Sequence, residues 1–410
     1  MDTDTILKGR RITLGVTGSI AAYKACPLAS QLTQMGARAT VIMTESAVRF
    51  VSPLTFQALT GQPVYTNMWH TETGGGLGTH IAHVGLAHQT DLLLIAPATA
   101  HTIARLAHGF CDDLLSLTAL AARCPLVIAP AMDAGMYDAA ATQANIALLR
   151  ERGAYIAGPA VGRMASGLEG TGRLLEPEEI IGHCRLALGR QGPLRGRHIV
   201  VTAGPTREPI DPVRFISNHS SGKQGFALAQ AAVDFGADVT LIAGPVSLPT
   251  PVGVRRIDVA SAREMRDAVL SHACGQVPAD ALIMSAAVAD FRPAHPETQK
   301  IKKERQAAPA IELERNPDIL LEVSEQPRRP RAVIGFAAET EDLLANARAK
   351  LARKKLDLIV ANDVTAPDAG FEVDTNRVHL VTPEEVITSG LLTKLGVAYQ
   401  VLGWLTKHLE

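Results

Sequence analysis

From Thr202 to Gly225 the chain reads TAGPTREPIDPVRFISNHSSGKQG, a run of polar turn residues between a buried-strand pattern and a helical one. Gly204 and Pro205 shape a turn. Asn218, Ser220, Ser221, Gly222 and Lys223 offer hydrogen-bond donors near a helix start, where free backbone N–H groups favour anions. The Ser-Gly-Lys string lacks the spacing of a P-loop, and a solvated loop is the other reading. Further along, Ala286-Ala287-Val288-Ala289-Asp290-Phe291 follows an apolar strand, and Asp290 at its end could hold a ribose, a base or Mg2+. Lys300-Ile301-Lys302-Lys303 is a solvated surface in isolation but a neutralising flap beside a phosphate. Asn316-Pro317-Asp318-Ile319 reads as a helix start. Lys350 and Lys354 lie four apart on one face of a predicted helix, a spacing that repels unless an anion such as a triphosphate bridges it, with plain solvation as the commoner explanation.

The first half carries three weaker signals of the same kind. Gly15-Val16-Thr17-Gly18-Ser19-Ile20 separates a strand from a helix, Thr44-Glu45-Ser46 ends a second strand and Pro97-Ala98-Thr99 ends a third. Ligands of open α/β sheets collect at the carboxyl ends of strands, so three such turns indicate a site better than one does. The turns lack a full Gly-x-Gly-x-x-Gly and the acid that would hold a nicotinamide ribose. That argues against a two-domain nicotinamide oxidoreductase.

The elements that must position these residues occur twice. RRITLGV (10–16) and RHIVVTA (197–203) are buried-strand patterns. Each is followed by a glycine-bearing loop, a helical stretch, a Gly-Ala pair (36–37 and 236–237) and another strand. Continuous apolar strands recur at 91–96, 125–129, 280–285, 332–336 and 357–361, as expected of sheets covered on both faces. The expectation is α/β: two doubly wound, Rossmann-like or flavodoxin-like domains with mainly parallel sheets. The Gly-rich, basic stretch Leu188 to Arg197 reads as a linker, which divides the chain into 1–190 and 191–410.

A net charge of −1 gives no global pull toward nucleic acid or an anionic membrane, so any phosphate site must be built locally. The five cysteines form no Cys-x-x-Cys pair, and their odd number and wide spacing favour a reducing compartment. No apolar run is long enough to span a bilayer, and Met1 to Lys8 is unlike a signal peptide, so a cytoplasmic location is expected.

The strings GVTGSIAAYK, IMTESA, IAPATAHTIARLAHG and PAMDAGMY resemble the flavin-dependent cysteine decarboxylases, above all phosphopantothenoylcysteine decarboxylase, over about residues 8–185. The resemblance implies FMN lined by Gly18, Ser19, Ile20, Thr44, Ser46, Ala98 and Thr99, at interfaces of a trimer. It also implies that a histidine followed by an apolar-x-Leu pattern acts at the flavin. His83-Val84-Gly85-Leu86 fits that pattern, with His80 as near competitor, and a histidine base titrates near neutrality. Two positions depart from the family. Asp133 replaces the asparagine of Pro-x-Met-Asn whose amide contacts the substrate carboxylate; an ionised Asp133 would repel that group, while a protonated one could donate to it. Ser166, in Ala165-Ser166-Gly167, replaces the cysteine acid that protonates the enethiol, and Cys111 is the nearby alternative donor.

The second half resembles the phosphopantothenate–cysteine ligases in their bacterial CTP-using form, over most of residues 195–385. By that resemblance Asn218 contacts the acyl-cytidylate. Asp290, Lys300, Asn316, Pro317, Asp318, Ile319, Phe336, Lys350 and Lys354 contact CTP as co-substrate, with Lys300 as the catalytic lysine and Mg2+ as cofactor through ligands not assigned. Such ligases dimerise partly through a β-hairpin, for which 370–381 has suitable alternation. Together the two resemblances imply a bifunctional enzyme of coenzyme A biosynthesis acting on 4′-phosphopantothenate, cysteine and CTP. The alternative is an active ligase whose first half binds flavin and assembles without turnover, motivated by Asp133 and Ser166.

Overall fold

The computed structural model describes residues 5–69, 82–164, 167–302, 310–339, 342–363 and 374–410. The chain divides into two compact units, Met1–Gly189 and Arg190–Glu410.

The first unit is built on a sheet of β1 (Arg11–Val16), β2 (Arg38–Met43), β3 (Val64–Tyr65), β4 (Leu92–Ala98), β5 (Leu126–Pro130) and β6 (Tyr155–Ile156). Their order is β3-β2-β1-β4-β5-β6, all neighbours parallel, which is the 3-2-1-4-5-6 arrangement of a doubly wound sheet. Side chains alternate across it. Leu14, Val16, Leu94 and Val127 pack with Leu28, Leu32 and Ile180 in one core, while Ile42, Leu93, Ile95 and Ile128 pack with Ile103 and Ile146 in another. Burial on both faces is why these strands read as unbroken apolar runs. A separate antiparallel hairpin, β7 (Ala160–Arg163) and β8 (Glu169–Arg173), follows the sheet.

The second unit repeats the plan with β9 (His198–Ala203), β10 (Arg207–Pro209), β11 (Phe215–Ser217), β12 (Asp238–Ala243), β13 (Val254–Asp258), β14 (Ala281–Met284), β15 (Phe291–Pro293), β16 (Leu313–Arg315), β17 (Ala332–Glu339), β18 (Leu358–Asp363), β19 (Thr375–Asn376), β20 (Val378–Val381), β21 (Val386–Thr388) and β22 (Leu392–Thr393). The main sheet runs β13-β12-β9-β14-β17-β18-β20-β21. Its first six strands are parallel, in the same relative order as the first sheet; β20 and β21 are antiparallel additions. The mainly parallel α/β expectation is borne out. The proposed hairpin at 370–381 has a different setting: 370–373 lie outside the described residues, and 378–381 form β20, an inner strand of the chain's own sheet.

The two Gly-Ala pairs have one physical cause. Gly36 and Gly236 follow the helices Ala25–Gln34 and Lys223–Asp234 with φ of 84° and 91°. The Gly36 N–H donates to Thr33 O at 2.9 Å and the Ala37 N–H to Leu32 O at 3.1 Å; Gly236 to Val233 and Ala237 to Ala232 do the same at 2.9 and 3.0 Å. This is a Schellman stop, which needs a left-handed residue and so favours glycine.

At the strand starts a second device recurs. The Asp91 carboxylate, just before β4, accepts the Arg11 N–H at 2.8 Å. Asp280, before β14, accepts the His198 N–H at 2.9 Å, and Asp357, before β18, accepts the Val333 N–H at 2.7 Å. Each carboxylate also takes a guanidinium, from Arg11, Arg197 and Arg329 respectively. Among the described residues no helix is long and apolar enough to cross a membrane.

Candidate functional site

In the first unit the polar turns converge at the carboxyl ends of β1, β2 and β4. Ser19 caps the short 3-10 helix Ile20–Lys24, Thr44 caps Glu45–Val48, and Thr99 caps Ala100–His108. Each hydroxyl accepts a backbone N–H, and that of Thr99 also shares a hydrogen bond with the Thr102 hydroxyl at 3.2 Å. Thr17 holds two of the ends together: its hydroxyl donates to Pro97 O at 2.6 Å and accepts the Thr99 N–H at 3.1 Å. A Cβ added to Gly18 would lie 2.3 Å from the Ser46 Cβ, so only glycine lets the first turn close on the second. Ala98 is fully buried and presents only backbone, its carbonyl accepting the Ala131 N–H at 3.0 Å.

Beside these turns lies a cavity of about 440 Å³ whose lining includes Ser19, Ile20, Tyr23, Lys24, Asp133 and Arg173. Ile20 and Tyr23 are 59% and 60% exposed, two apolar surfaces available to a flat ring. The β7–β8 hairpin supplies Arg163, Met164 and Arg173 and is docked by the Met132 N–H donating to Gly172 O at 3.0 Å. Glu176 accepts from Lys24 at 3.0 Å and also pairs with Arg173. The hydrogen bond from Lys24 holds the Glu176 carboxyl below its usual range, against the opposing effect of burial. Three cations against Asp133 and Glu176 leave the site suited to an anionic ligand.

The set expected from sequence is thus partly gathered. Ser19, Ile20 and Asp133 line the cavity, and Gly18, Thr44, Ser46, Ala98 and Thr99 sit at the strand ends. Asp133 serves as a helix N-cap, one oxygen accepting the Gly135 N–H at 3.0 Å. His83 is half-buried in the first turn of the helix Ala82–Gln89 and is not among the residues lining the cavity. His80 and Ser166 lie outside the described residues.

Cys111 requires a correction. It lines a different cavity, with Leu93, Pro125 and Leu126 at the starts of β4 and β5. The helix Ala100–His108 carries the chain back along the sheet, so Cys111 is a strand length away from Asp133 and is no nearby donor. Its thiol is pushed up by burial, then by Asp113 and Asp112. Lys24, Arg163, Arg173 and Glu176 were not singled out from sequence. The signal was the lysine closing GVTGSIAAYK and two arginines bounding a glycine-rich hairpin.

In the second unit the loop 286–290, after β14, is the common anchor. Ala286 N–H donates to the Thr202 hydroxyl at 3.1 Å and Ala289 N–H to the Thr206 hydroxyl at 3.0 Å. The Asn218 amide donates to Ala287 O at 3.2 Å and Val288 O at 3.1 Å. From the other side, Asn316 donates from its side chain to Ala289 O and from its backbone to Asp290 O, both at 2.8 Å. Arg292 in turn donates to the Asn316 side-chain Oδ1 at 2.9 Å. Asp290 itself is exposed.

Asp318 caps the helix Ile319–Glu325, accepting the Leu321 N–H at 3.3 Å, and pairs with Lys354 at 2.8 Å. This corrects the reading of the lysine pair: Lys354, the C-cap of the helix Leu343–Arg353, is already balanced by Asp318 and needs no bridging anion. Lys350 is half-buried on that helix and Phe336 half-buried on β17, beside β18. Pro317 is half-buried and Ile319 buried under the turn. Lys223, at the start of its helix, pairs with Asp374 at 2.7 Å. Lys300 is exposed, and Lys303 lies outside the described residues. Among the described residues no group of three or more His, Cys, Asp or Glu side chains is placed to hold a metal ion.

Two doubly wound units, each gathering polar turns at the carboxyl ends of its central strands, define a protein of the α/β class whose ligands collect at such strand ends. Residues 2–185 match the family model described as Flavoprotein, and residues 194–409 match that of the DNA/pantothenate metabolism flavoprotein C-terminal domain. The coenzyme A biosynthesis bifunctional protein CoaBC of Bacillus subtilis (strain 168) is 48% identical over 401 residues, covering 97% of each chain. That of Mycobacterium tuberculosis (strain ATCC 25618 / H37Rv) is 50% identical over 381 residues, covering 90% of this chain and 89% of the other. The solved C-terminal domain of a CoaBC protein is 40% identical, covering 53% of this chain and 98% of its own, with a TM-score of 0.45. The chain belongs to the family of bifunctional coenzyme A biosynthesis proteins, which bears out the two resemblances read from its motifs. It is an enzyme that acts on small molecules.

Proposed function

We propose that residues 190–410 join 4′-phosphopantothenate to cysteine at the expense of CTP, and that residues 1–189 decarboxylate the product with FMN. In the ligase the phosphopantothenate carboxylate attacks the α-phosphorus of CTP and the bond to pyrophosphate breaks. The cysteine amine then attacks the acyl carbon, the bond to CMP breaks, and the amine proton is lost. The observation that carries this reading is the loop 286–290, to which Asn218 and Asn316 are latched from opposite sides. That arrangement supports an acyl-cytidylate beside Asn218 and the nucleotide beside Asp290, Asn316 and Asp318. The exposed ammonium of Lys300 suits neutralising charge on the α-phosphate. Mg2+ is held chiefly by substrate phosphates and one or two carboxylates in such sites, for which exposed Asp290 is the fitting group.

In the first unit, the hydroxyls of Ser19, Thr44 and Thr99 and the amino end of Ala100–His108 fit a flavin phosphate. Exposed Ile20 fits the ring. Bound FMN would supply the reversible two-electron chemistry that labilises the cysteinyl carboxylate. Lys24, Arg163 and Arg173 favour the anionic substrate, with Asp133 beside them in the cavity wall. The test is to incubate the whole protein with CTP, phosphopantothenate and cysteine while following pyrophosphate and CO2. Release of both supports the reading; pyrophosphate without CO2 would assign the first unit an assembly role, and neither product would overturn the proposal.

A further inference from the structure

Asp211 lies in the turn between β10 and β11 and is only 3% exposed. Its Oδ1 accepts the N–H groups of Val213 and Arg214, both at 2.8 Å, which closes its own turn. Its Oδ2 does something a local turn does not require. It accepts Arg214 Nε at 3.0 Å and Nη2 at 2.5 Å, and then the N–H of Ile301 at 3.2 Å, across 90 positions of sequence. Arg214 Nη2 donates also to Ile301 O at 3.1 Å. The residue that follows Lys300 is therefore gripped by both its amide and its carbonyl. A second stitch runs from Glu297 N–H to Ile210 O at 2.9 Å. The stretch 297–301 is laced at both ends to the β10–β11 turn. From that turn β11 leads to Ser217, whose hydroxyl donates to Thr206 O at 2.7 Å, and directly to Asn218. Lys300 is exposed, but the peptide carrying it is not free.

We propose that Asp211 is a positioning residue for Lys300. It holds the Lys300–Ile301 peptide to the frame that carries Asn218, so that the lysine and the acyl end of the substrate keep one fixed separation. Asp211 touches no reacting atom; it acts through Arg214 and Ile301. This rests on the proposed part of Lys300 in the CTP-dependent step.

The experiment uses the full-length protein and follows pyrophosphate release from CTP and 4′-phosphopantothenate in Asp211→Asn, Lys300→Ala and the double variant. Asparagine keeps an oxygen for the turn but replaces the acceptor facing Ile301 with a donor. Asp211→Asn should lower kcat roughly 10²-fold, the scale of a lysine misplaced by about 1 Å, with KM for CTP changed less than about threefold. In the Lys300→Ala background it should cost nothing further, because its effect runs through that side chain. Should Asp211→Asn not fold, Arg214→Lys keeps a charge beside Asp211 but loses the paired grip on the Ile301 carbonyl, and must reproduce the fall in kcat. An unchanged kcat, or a loss that adds undiminished to that of Lys300→Ala, overturns the inference. If Lys300→Ala alone leaves pyrophosphate release intact, the reading of Lys300 falls first and this inference with it.

Discussion

Replacing Thr17 by valine keeps the shape of the side chain and deletes one hydroxyl. Thr17 is 1% exposed, so water does not substitute for what is lost. Two groups lose their partner: Pro97 O, which accepts from the hydroxyl at 2.6 Å, and the Thr99 N–H, which donates to it at 3.1 Å. A buried polar group without a partner costs about 1–3 kcal/mol. Thr99 is half-buried and its amide recovers part of that from solvent, so the sum is about 2–4 kcal/mol. The loss falls on the link between the β1 and β4 turns, where the residues proposed to hold the flavin gather. If about 1.4 kcal/mol of it is spent holding those turns in place, FMN affinity drops about tenfold. Unfolding followed by flavin fluorescence reports the first unit separately from the second, and titration of the apoprotein with FMN gives the affinity. Thr17→Ser, which restores the hydroxyl, should recover most of both. Thr17→Val melting with the wild type and binding FMN equally well would refute the reasoning.

Three further outcomes are expected. Asp318→Ala removes both a helix cap and the partner of Lys354; it should cost about 1 kcal/mol in the melting of the second unit and raise KM for CTP, and an unaltered KM would count against a CTP contact there. The Asp211 carboxyl is held well below its usual range, chiefly by the hydrogen bond from Arg214, so its folded pKa lies under the unfolded value of about 3.9. Its stabilisation is then complete above about pH 5 and lost as pH falls through that unfolded value toward the folded one; denaturant melts at stepped pH should show the gap between wild type and Asp211→Asn closing with acid, not widening. Burial pushes the Cys184 thiol up to about 12, so a maleimide at neutral pH should label it only after unfolding, and labelling in the native protein would contradict its enclosure.

What the sequence disclosed was local. The Gly36-Ala37 and Gly236-Ala237 pairs announced helix stops because a Schellman turn is completed within six residues. The apolar runs announced strands because both faces of each sheet are covered. Asn316 to Ile319 was readable as a helix start because Asp318 caps its own helix. Strand order beyond the first strand–helix–strand of each half was not readable, since parallel neighbours meet only through long crossovers. Lys24, Glu176 and Arg173 come from three separated segments, so no spacing could tie them together. Cys111 shows the converse: a cysteine that sequence offers as an alternative donor lies at the starts of β4 and β5, because a helix has run back along the sheet before it. Asp211 looked like one more turn residue in a polar run, because its long-range partner, a backbone amide, has no sequence signature.

The aspartates at the strand starts carry a consequence for how this architecture tolerates change. Asp91, Asp280 and Asp357 each pin the first or second amide of a neighbouring strand, so the alignment of parallel strands is settled at the amino edge of both sheets. The carboxyl edge is thereby relieved of that duty. Turns there can exchange residues without any strand sliding against the next. The same scaffold can thus hold a flavin-type site in one copy and a nucleotide-type site in the other. Chemistry diversifies at one rim because alignment is guarded at the opposite one.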